Sequence, residues 1–395
     1  MKRLTLCAML ILALLLPTGC SHSSGSTSSE PSSQPSDAPS QTESVPATEP
    51  TLSATEYYLS RMTLQEKVGQ LFIIAPDALT ADGRSPTALD DEIAVNLTVY
   101  PVGGIIHFSG NIASADQIRD FNRNLQRASS IPLFICVDEE GGIVTRLASC
   151  HGFDLPVFPS AGRIAGADDA HKMGSSIGAY LADFGFNVNF APVADVNTNP
   201  HNPVIGIRAF SSDPGIAAQM ASSFANGLAE HGIIATYKHF PGHGDTAQDS
   251  HLGIAVSEKA AEDMAQCEWL PFLEATAKDM VMVGHIAAPQ ITGDLLPASL
   301  SHTLVTQILK EQLGFSGLVI TDSMQMGAIT NTYSSGEAAV LALQAGCDII
   351  LMPQNLPEAF DAVLAAVQNG TLSEQWLDET VLQILEFKLS HGLWE

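Results

Sequence analysis

Short apolar runs recur along the chain, each three to five residues long. The eight runs are Leu71–Ile74, Gly104–Phe108, Leu133–Val137, Val188–Phe190, Ile233–Tyr237, Val281–Val283, Leu318–Ile320 and Ile349–Leu351. A strand covered on both faces needs apolar residues at successive positions, not only at alternate ones. The runs therefore predict the buried strands of a parallel sheet.

Segments of helical periodicity separate most of the predicted strands. They include Thr55–Lys67, Ser114–Ala128, Asp169–Phe184, Gly215–His231, Glu258–Lys278, Leu304–Leu313, Gly336–Gln344 and Pro357–Gln368. Alternating strands and helices predict an α/β fold, and eight such units predict a (β/α)8 barrel of the TIM type. A doubly wound open sheet is the alternative, but no glycine-rich dinucleotide-binding motif follows the first strand.

The first 20 residues predict a signal peptide. Lys2 and Arg3 precede an apolar run, Leu4–Leu16, which is shorter than the roughly 20 residues that span a bilayer and typical of a secretory signal. The run ends at Pro17-Thr18-Gly19-Cys20, which resembles the lipobox of bacterial lipoproteins. We therefore expect lipidation of Cys20; ordinary cleavage and secretion is the alternative.

Residues 21–50 are rich in Ser, Thr and Pro. Such a composition cannot bury a core and predicts a disordered linker. The barrel then occupies residues 51–395 as a single domain. Together, the anchor and the linker predict a secreted protein attached to the outer face of a bacterial cell membrane.

The charge balance excludes several classes of partner. The chain has 17 Lys and Arg against 43 Asp and Glu, for a net charge of −26. Nucleic-acid binding depends on clustered cations, so we expect no nucleic-acid partner, and membrane contact only through the N-terminal anchor. With 45% apolar residues, the chain is nevertheless able to bury a large core.

Four cysteines, Cys136, Cys150, Cys267 and Cys347, fall within the predicted barrel. Their spacing matches no metal site. Disulfides are chemically allowed outside the cytosol, and four cysteines permit three pairings. Buried free thiols are the interpretation we favour.

Polar residues follow five of the predicted strands at the point where each ends. They are Asp138, Glu139 and Glu140 after the third run, Asp195 after the fourth, Lys238 and His239 after the fifth, His285 after the sixth and Asp322 after the seventh. Barrel enzymes carry their chemistry at the carboxyl ends of the strands. The pattern therefore predicts a functional site at this rim.

The densest group of candidate residues runs from Lys238 to His251 and holds three His and two Asp. Taken alone, it allows a metal site, a phosphate-binding loop or an acid/base pair. The spacing matches neither the H-E-x-x-H zinc motif nor the Walker phosphate loop. Asp249 is two residues from His251, and a carboxylate at that distance can fix the tautomer of an imidazole that transfers protons near neutral pH.

The same stretch resembles the K-H-F-P-G-H-G-x-x-x-x-D-S-H signature of family 3 glycoside hydrolases, in the branch of the bacterial β-N-acetylglucosaminidases. Three further blocks resemble family motifs in order and spacing: Val137–Arg146, Asn189–Val196 and Val319–Met326. The similarity covers nearly all of the chain from about Leu64 onward.

This resemblance implies a role for each matching residue. Asp322 is the nucleophile, while His251, supported by Asp249, is the acid/base group. The branch thus departs from the usual pair of carboxylates in glycosidases. We also expect no second α/β domain of the kind many family 3 β-glucosidases carry, so that the proton donor belongs to the barrel. Glu139 and Glu140 are the nearest other carboxylates, in a turn behind Asp138.

The resemblance also implies the sugar-binding residues: Asp138, Arg146, Arg208, Lys238 and His239. It implies no cofactor and no metal ion. At Arg208 the chain has Ala209 where the family more often has Ser, which weakens the detailed substrate assignment.

The expected function is that of an exo-acting, retaining β-N-acetylhexosaminidase that removes terminal N-acetylglucosamine from cell-wall fragments. Two alternatives stay open from the sequence. One is a phosphorylase on the same scaffold, because an imidazole donor would not repel an attacking phosphate. The other is a sugar-binding lipoprotein without catalysis.

Overall fold

The structure is a computed structural model, and it describes residues 52–250 and 252–394. The predicted signal peptide, Cys20 and the linker lie outside the described residues, and so does His251.

Eight parallel strands form a nearly closed barrel, with strand order β10-β1-β2-β3-β4-β5-β7-β9. A parallel bridge between Ile320 and Ile349 joins the two ends of this order. Strands β6 and β8 pair with each other outside the barrel. In chain order the strands are β1 Phe72–Ile74, β2 Gly104–His107, β3 Phe134–Val137, β4 Val188–Asn189, β5 Ile234–Phe240, β6 Ala255–Val256, β7 Met280–Val283, β8 Ile286–Ala287, β9 Leu318–Thr321 and β10 Ile350–Leu351.

All eight apolar runs become barrel strands, which confirms the predicted (β/α)8 class. Every residue of the eight barrel strands is buried. Burial on both faces explains why the runs are continuously apolar. β5 is longer than predicted because Lys238, His239 and Phe240 continue it to the carboxyl rim.

Helices follow most of the barrel strands. They are α1 Ala54–Leu59, α2 Leu64–Gln70, α3 Asp91–Val99, α4 Ala115–Ala128, α5 Ala167–Asp183, α6 Pro214–Ala229, α7 Ala261–Ala265, α8 Pro289–Thr292, a π-helix Thr303–Gln312, α9 Gly327–Thr330, α10 Ser335–Ala345, α11 Leu356–Gln368 and α12 Glu374–Ser390. Side chains that bind the first free N–H groups mark several of the starts. Ser114 caps α4 and Ser334 caps α10, each within a capping box.

Two predicted helices are wrong in extent. The segment Thr55–Lys67 is two helices, because Thr63 caps α2 in a capping box with Glu66 and so interrupts the first helix. The segment Glu258–Lys278 contains only α7 and a 3-10 helix, Leu270–Glu274. Pro271 lacks an N–H and disfavours helix at the residue before it, so a continuous helix cannot form there.

The four cysteines of the barrel are free thiols, with Cys136 and Cys347 buried. Within residues 52–250 and 252–394, no helix combines the length and apolar character needed to cross a membrane.

Candidate active site

A cavity of about 460 Å³ opens at the carboxyl ends of the barrel strands. Because the barrel strands run parallel, the segments that follow them meet at one rim. Six of the residues predicted from the sequence line this cavity: Asp138, Arg146, Arg208, Lys238, His239 and Asp322.

Asp322 follows β9 and presents a carboxylate to the cavity. Its backbone N–H donates to the Val283 carbonyl at 2.8 Å, and its Oδ1 accepts from the Ser323 N–H at 2.7 Å. Burial raises the pKa of Asp322, but the positive potential of His239 and His285 and the Ser323 N–H outweigh it and hold the pKa below the ordinary value. The carboxylate is therefore ionised at neutral pH.

Lys238 lies between two carboxylates at the end of β5. Its Nζ donates to Asp138 Oδ1 at 2.6 Å and lies 2.7 Å from Glu140 Oε1. Only 3% of its side chain is exposed. Burial lowers the pKa of Lys238, but the charges of Asp138 and Glu140 more than reverse this effect and leave the pKa raised. The ammonium group is thus fixed in place and stays charged.

Glu140 also binds Arg208, through two parallel hydrogen bonds of 2.9 and 2.7 Å. Although burial raises the pKa of Glu140, Lys238 and Arg208 lower it to about 2. The expected position behind Asp138 is wrong for this residue: Glu140 lines the cavity. Residues two apart in an extended chain point to the same side. The i, i+2 spacing of Asp138 and Glu140 could therefore have predicted that both face the cavity.

Glu139 points away from the cavity and organises the loop that carries Arg146. Its carboxylate accepts the backbone N–H groups of Arg146, Leu147 and Ala148 at 2.6 to 3.0 Å, and the Tyr180 hydroxyl at 2.9 Å. Arg146 Nη2 then lies 3.9 Å from Asp138 Oδ2. The buried Arg146 Nε has no hydrogen-bond partner among the described residues.

Asp195, which is fully buried, connects two segments of the rim. Its Oδ2 lies 2.7 Å from His239 Nδ1, and its Oδ1 accepts the His243 backbone N–H at 2.6 Å. Burial raises the pKa of Asp195, but His239 and His243 lower it below the ordinary value. The sequence singled out Asp195 as a strand-end residue without a role, and the structure shows that it orients His239.

The loop after β5 carries Asp249, which is half-buried and not among the cavity-lining residues. The Asp249 carbonyl accepts the N–H groups of Leu252 and Gly253 at 3.1 and 3.3 Å. Ser250 and His243, neither of which the sequence reasoning selected, line the cavity.

His285 supports the part of the cavity wall that carries Asp322 and Ser323. Its Nε2 donates to the Ser323 carbonyl at 2.9 Å, and its Nδ1 lies 2.7 Å from Ser299 Oγ. His285 therefore fixes the residue that follows Asp322. The described part of the chain contains no group of three or more His, Cys, Asp and Glu side chains placed to hold a metal ion.

The cavity combines an ionised carboxylate with hydrogen-bonding groups suited to a hydroxyl-rich ligand. Asp138 can accept hydrogen bonds, and Lys238, Arg146 and His239 can donate them. The cations Lys238, Arg208 and Arg146 are matched by the carboxylates Asp138, Glu140 and Asp322. Such a balance favours a ligand without net charge.

Comparison with known proteins agrees with this geometry. The N-terminal domain of glycosyl hydrolase family 3 matches residues 63–387. The β-hexosaminidase A of Pseudoalteromonas piscicida is 33% identical over 369 residues, covering 83% of this chain and 61% of that protein. The β-hexosaminidase LpqI of Mycobacterium tuberculosis is 31% identical, covering 96% of both chains.

Among solved structures, the family 3 β-N-acetylglucosaminidase of Paenibacillus sp. superposes with a TM-score of 0.78 at 36% identity. The superposition covers 84% of this chain and 63% of that one. The chain thus spans less than two thirds of the Paenibacillus and Pseudoalteromonas relatives, but nearly all of the mycobacterial one. With the family domain matched over most of its length, the chain belongs to glycosyl hydrolase family 3.

Proposed function

We propose that the protein is an exo-acting, retaining β-N-acetylhexosaminidase that releases terminal N-acetylglucosamine from glycosides. The observation that carries the proposal is that the ionised Asp322 carboxylate shares one cavity with Asp138, Lys238 and His239. The relatives named β-hexosaminidase support the substrate class.

In the first step, an Asp322 carboxylate oxygen attacks the anomeric carbon of the sugar. A carbon–oxygen bond to Asp322 forms as the bond to the leaving oxygen breaks, and His251 transfers its proton to that oxygen. In the second step, the neutral imidazole takes a proton from water, whose oxygen displaces Asp322. The sugar leaves with its original anomeric configuration, and both groups return to their starting states.

The contacts of Asp322 suit a nucleophile. Its lowered pKa keeps the attacking oxygens ionised. The Ser323 N–H binds Oδ1, and His285 holds the Ser323 carbonyl on the other side of that peptide. The carboxylate is thereby oriented before the substrate arrives, which lowers the cost of reaching the transition state.

The remaining groups suit sugar recognition. Asp138 is held by Lys238, so its oxygens are fixed acceptors for two adjacent hydroxyls. Lys238 and Arg208 are each paired with a carboxylate, and they can bind a neutral sugar without attracting an anion. Arg146 lines the same cavity with its Nη2 3.9 Å from Asp138 Oδ2, so its guanidinium is a further donor for the sugar.

We also propose that the enzyme acts outside the cytoplasm on cell-wall fragments that carry N-acetylglucosamine. The predicted signal peptide, the lipobox-like Cys20 and the linker of residues 21–50 support this location. An anchor with a long linker would let the barrel reach glycans at some distance from the membrane.

The test is an assay with an aryl N-acetyl-β-glucosaminide. The full protein should release the phenol, and NMR should show the β-anomer of N-acetylglucosamine as the first product. Asp322→Asn should not turn over, whereas Asp116→Asn, at a side chain that is 95% exposed, should match the wild type. Tight sugar binding by the wild type without release of the phenol would contradict catalysis. If sugar 1-phosphate forms when phosphate is added, the reaction is phosphorolysis and not the proposed hydrolysis.

A further inference from the structure

Hydrogen bonds hold the first half of the loop between β5 and β6 at two residues, His243 and Thr246. Asp195 Oδ1 accepts the His243 backbone N–H at 2.6 Å. Asn202 Nδ2 donates to the carbonyls of His243 and Thr246 at 2.7 and 3.0 Å. The start of the loop is therefore fixed to the segment that follows β4.

The His243 ring continues this network toward the cavity. Its Nδ1 lies 2.6 Å from Thr246 Oγ1, and its Nε2 lies 2.9 Å from Ser250 Oγ. The ring, Thr246 and Ser250 are all at least 98% buried. These hydrogen bonds are therefore largely shielded from water, and each group depends on its protein partner.

The hydrogen-bond directions follow from the donors available. Thr246 Oγ1 donates its hydrogen to the His243 carbonyl at 2.9 Å, so it must accept from His243 Nδ1–H. Burial lowers the pKa of His243 and keeps the ring neutral near pH 7. A neutral ring with hydrogen on Nδ1 has an acceptor at Nε2, so the Ser250 hydroxyl donates to it.

We propose that this Ser250–His243 hydrogen bond is a latch for the loop that carries the proposed acid/base pair, making Ser250 and His243 positioning residues for proton transfer. Ser250 lies between the two residues of the proposed acid/base pair in the chain. Thr246 holds the His243 ring and Asp195 holds the His243 backbone N–H. A Ser250 side chain bonded to this ring therefore restricts the backbone on both sides of Ser250. The inference rests on the proposed function.

A positioning role predicts a selective loss of activity. Protonation of the leaving oxygen matters most for poor leaving groups and little for an activated phenol. Loss of one buried hydrogen bond should lower the population of the correctly placed loop about five- to tenfold. Ser250→Ala should therefore lower kcat/KM by about that factor for alkyl and disaccharide substrates, and by less than twofold for a dinitrophenyl glycoside.

The experiment measures kcat/KM of the full protein for a series of N-acetyl-β-glucosaminides whose leaving groups differ in pKa. The slope of log kcat/KM against leaving-group pKa should become steeper in Ser250→Ala. His243→Asn keeps a donor near Thr246 but removes the acceptor for Ser250, and should steepen the slope equally. The double variant should be no steeper than either single one, since both changes break the same bond.

Three further variants separate the possible failures. Ser250→Thr keeps the hydroxyl and should retain the wild-type slope. Ser390→Ala removes a hydroxyl that donates to the Phe387 carbonyl at the end of α12, and should leave the slope unchanged. His251→Ala should give the steepest slope of the series, and thermal melting should show that each variant is folded.

A uniform loss across all leaving groups in Ser250→Ala, or no loss, would overturn the latch while leaving the proposed function intact, provided that His251→Ala steepens the slope. Additive effects of Ser250→Ala and His243→Asn would also overturn it. An unchanged slope in His251→Ala would overturn the proposed acid/base group, and the latch with it.

Discussion

The two ends of the barrel each bury a lysine, and the two lysines have opposite properties. At the carboxyl end, Lys238 contacts the carboxylates of Asp138 and Glu140, and its pKa is raised above the ordinary value. At the amino end, Lys388 of α12 is fully buried. Its Nζ donates to Gln70 Oε1 at 2.8 Å and to the Gly103 carbonyl at 3.0 Å, both uncharged.

The pKa of Lys388 is lowered to about 7 because burial penalises its charged form. Its Nζ also lies 4.7 Å from the centre of the Phe134 ring. Burial is therefore the same at the two sites, and the carboxylate partners make the difference. A lysine paired with carboxylates marks the functional rim, whereas a buried lysine with only uncharged partners joins α12 to the base of the barrel.

The largest expected effect is a difference in activity between variants at the carboxyl end and at the amino end of the barrel. Asp322→Asn should lower kcat/KM by at least about 10⁴-fold, because a neutral amide cannot form the glycosyl intermediate. Lys388→Met should change kcat/KM by less than about threefold, because Lys388 is at the other end of the strands. Steady-state kinetics on an aryl glycoside measures both. A loss of activity in Lys388→Met comparable to that of Asp322→Asn would break the comparison.

The second effect separates the two lysines by stability. Lys238→Met should lower the free energy of unfolding by about 3–5 kcal/mol at pH 7, because it removes the buried ammonium group that lies between the carboxylates of Asp138 and Glu140. Lys388→Met removes a charge that burial disfavours but leaves the buried Gln70 Oε1 without its donor, so its cost should be about 1–2 kcal/mol. Urea unfolding measures this difference. Lys172→Met, at a side chain that is 73% exposed, is the control.

The third effect tests Glu140. Its pKa is about 2 in the folded protein against an ordinary 4.5, so its stabilisation is fully present above pH 4.5 and is lost as the pH falls toward 2. Glu140→Gln should cost about 3 kcal/mol at pH 6 and about 1–2 kcal/mol less at pH 3.5, and should raise KM. Unfolding at the two pH values measures it. An equal cost at both, or an equal cost for the exposed Glu311→Gln, would contradict the ion pair.

The smallest effect concerns the pH dependence from Lys388. Its folded pKa of about 7 lies below the ordinary 10.5, so the unfolded chain binds one more proton between these values, and stability rises with pH there. The contribution is about 1.4 kcal/mol per pH unit. Relative to Lys388→Met, the wild type should gain about this much from pH 8 to pH 9. Parallel profiles for the two proteins would show that Lys388 stays charged.

The sequence predicted the barrel because continuous apolar strands leave a strong and repeated signal. The sequence analysis predicted Thr55–Lys67 and Glu258–Lys278 each as one continuous helix and missed the interruption in both. The end of a helix depends on a single cap or proline, which is a weak signal. At the rim, strand-end positions identified Asp138, Lys238 and Asp322. Local patterns do not encode how loops from distant strands meet. For this reason the sequence did not predict that Glu139 points away from the cavity, that Glu140 pairs with Lys238 and Arg208, or that Asp195 contacts His239 and His243.

The central claim is that Asp322 attacks a sugar held in this cavity. An activated 5-fluoro derivative of N-acetyl-β-glucosamine should trap the covalent intermediate, because the fluorine slows its hydrolysis. Digestion and mass spectrometry should then find one N-acetyl-fluoroglucosaminyl group on the carboxylate of Asp322. Labelling of another residue with Asp322 unmodified, or turnover of this compound in Asp322→Asn, would contradict the account.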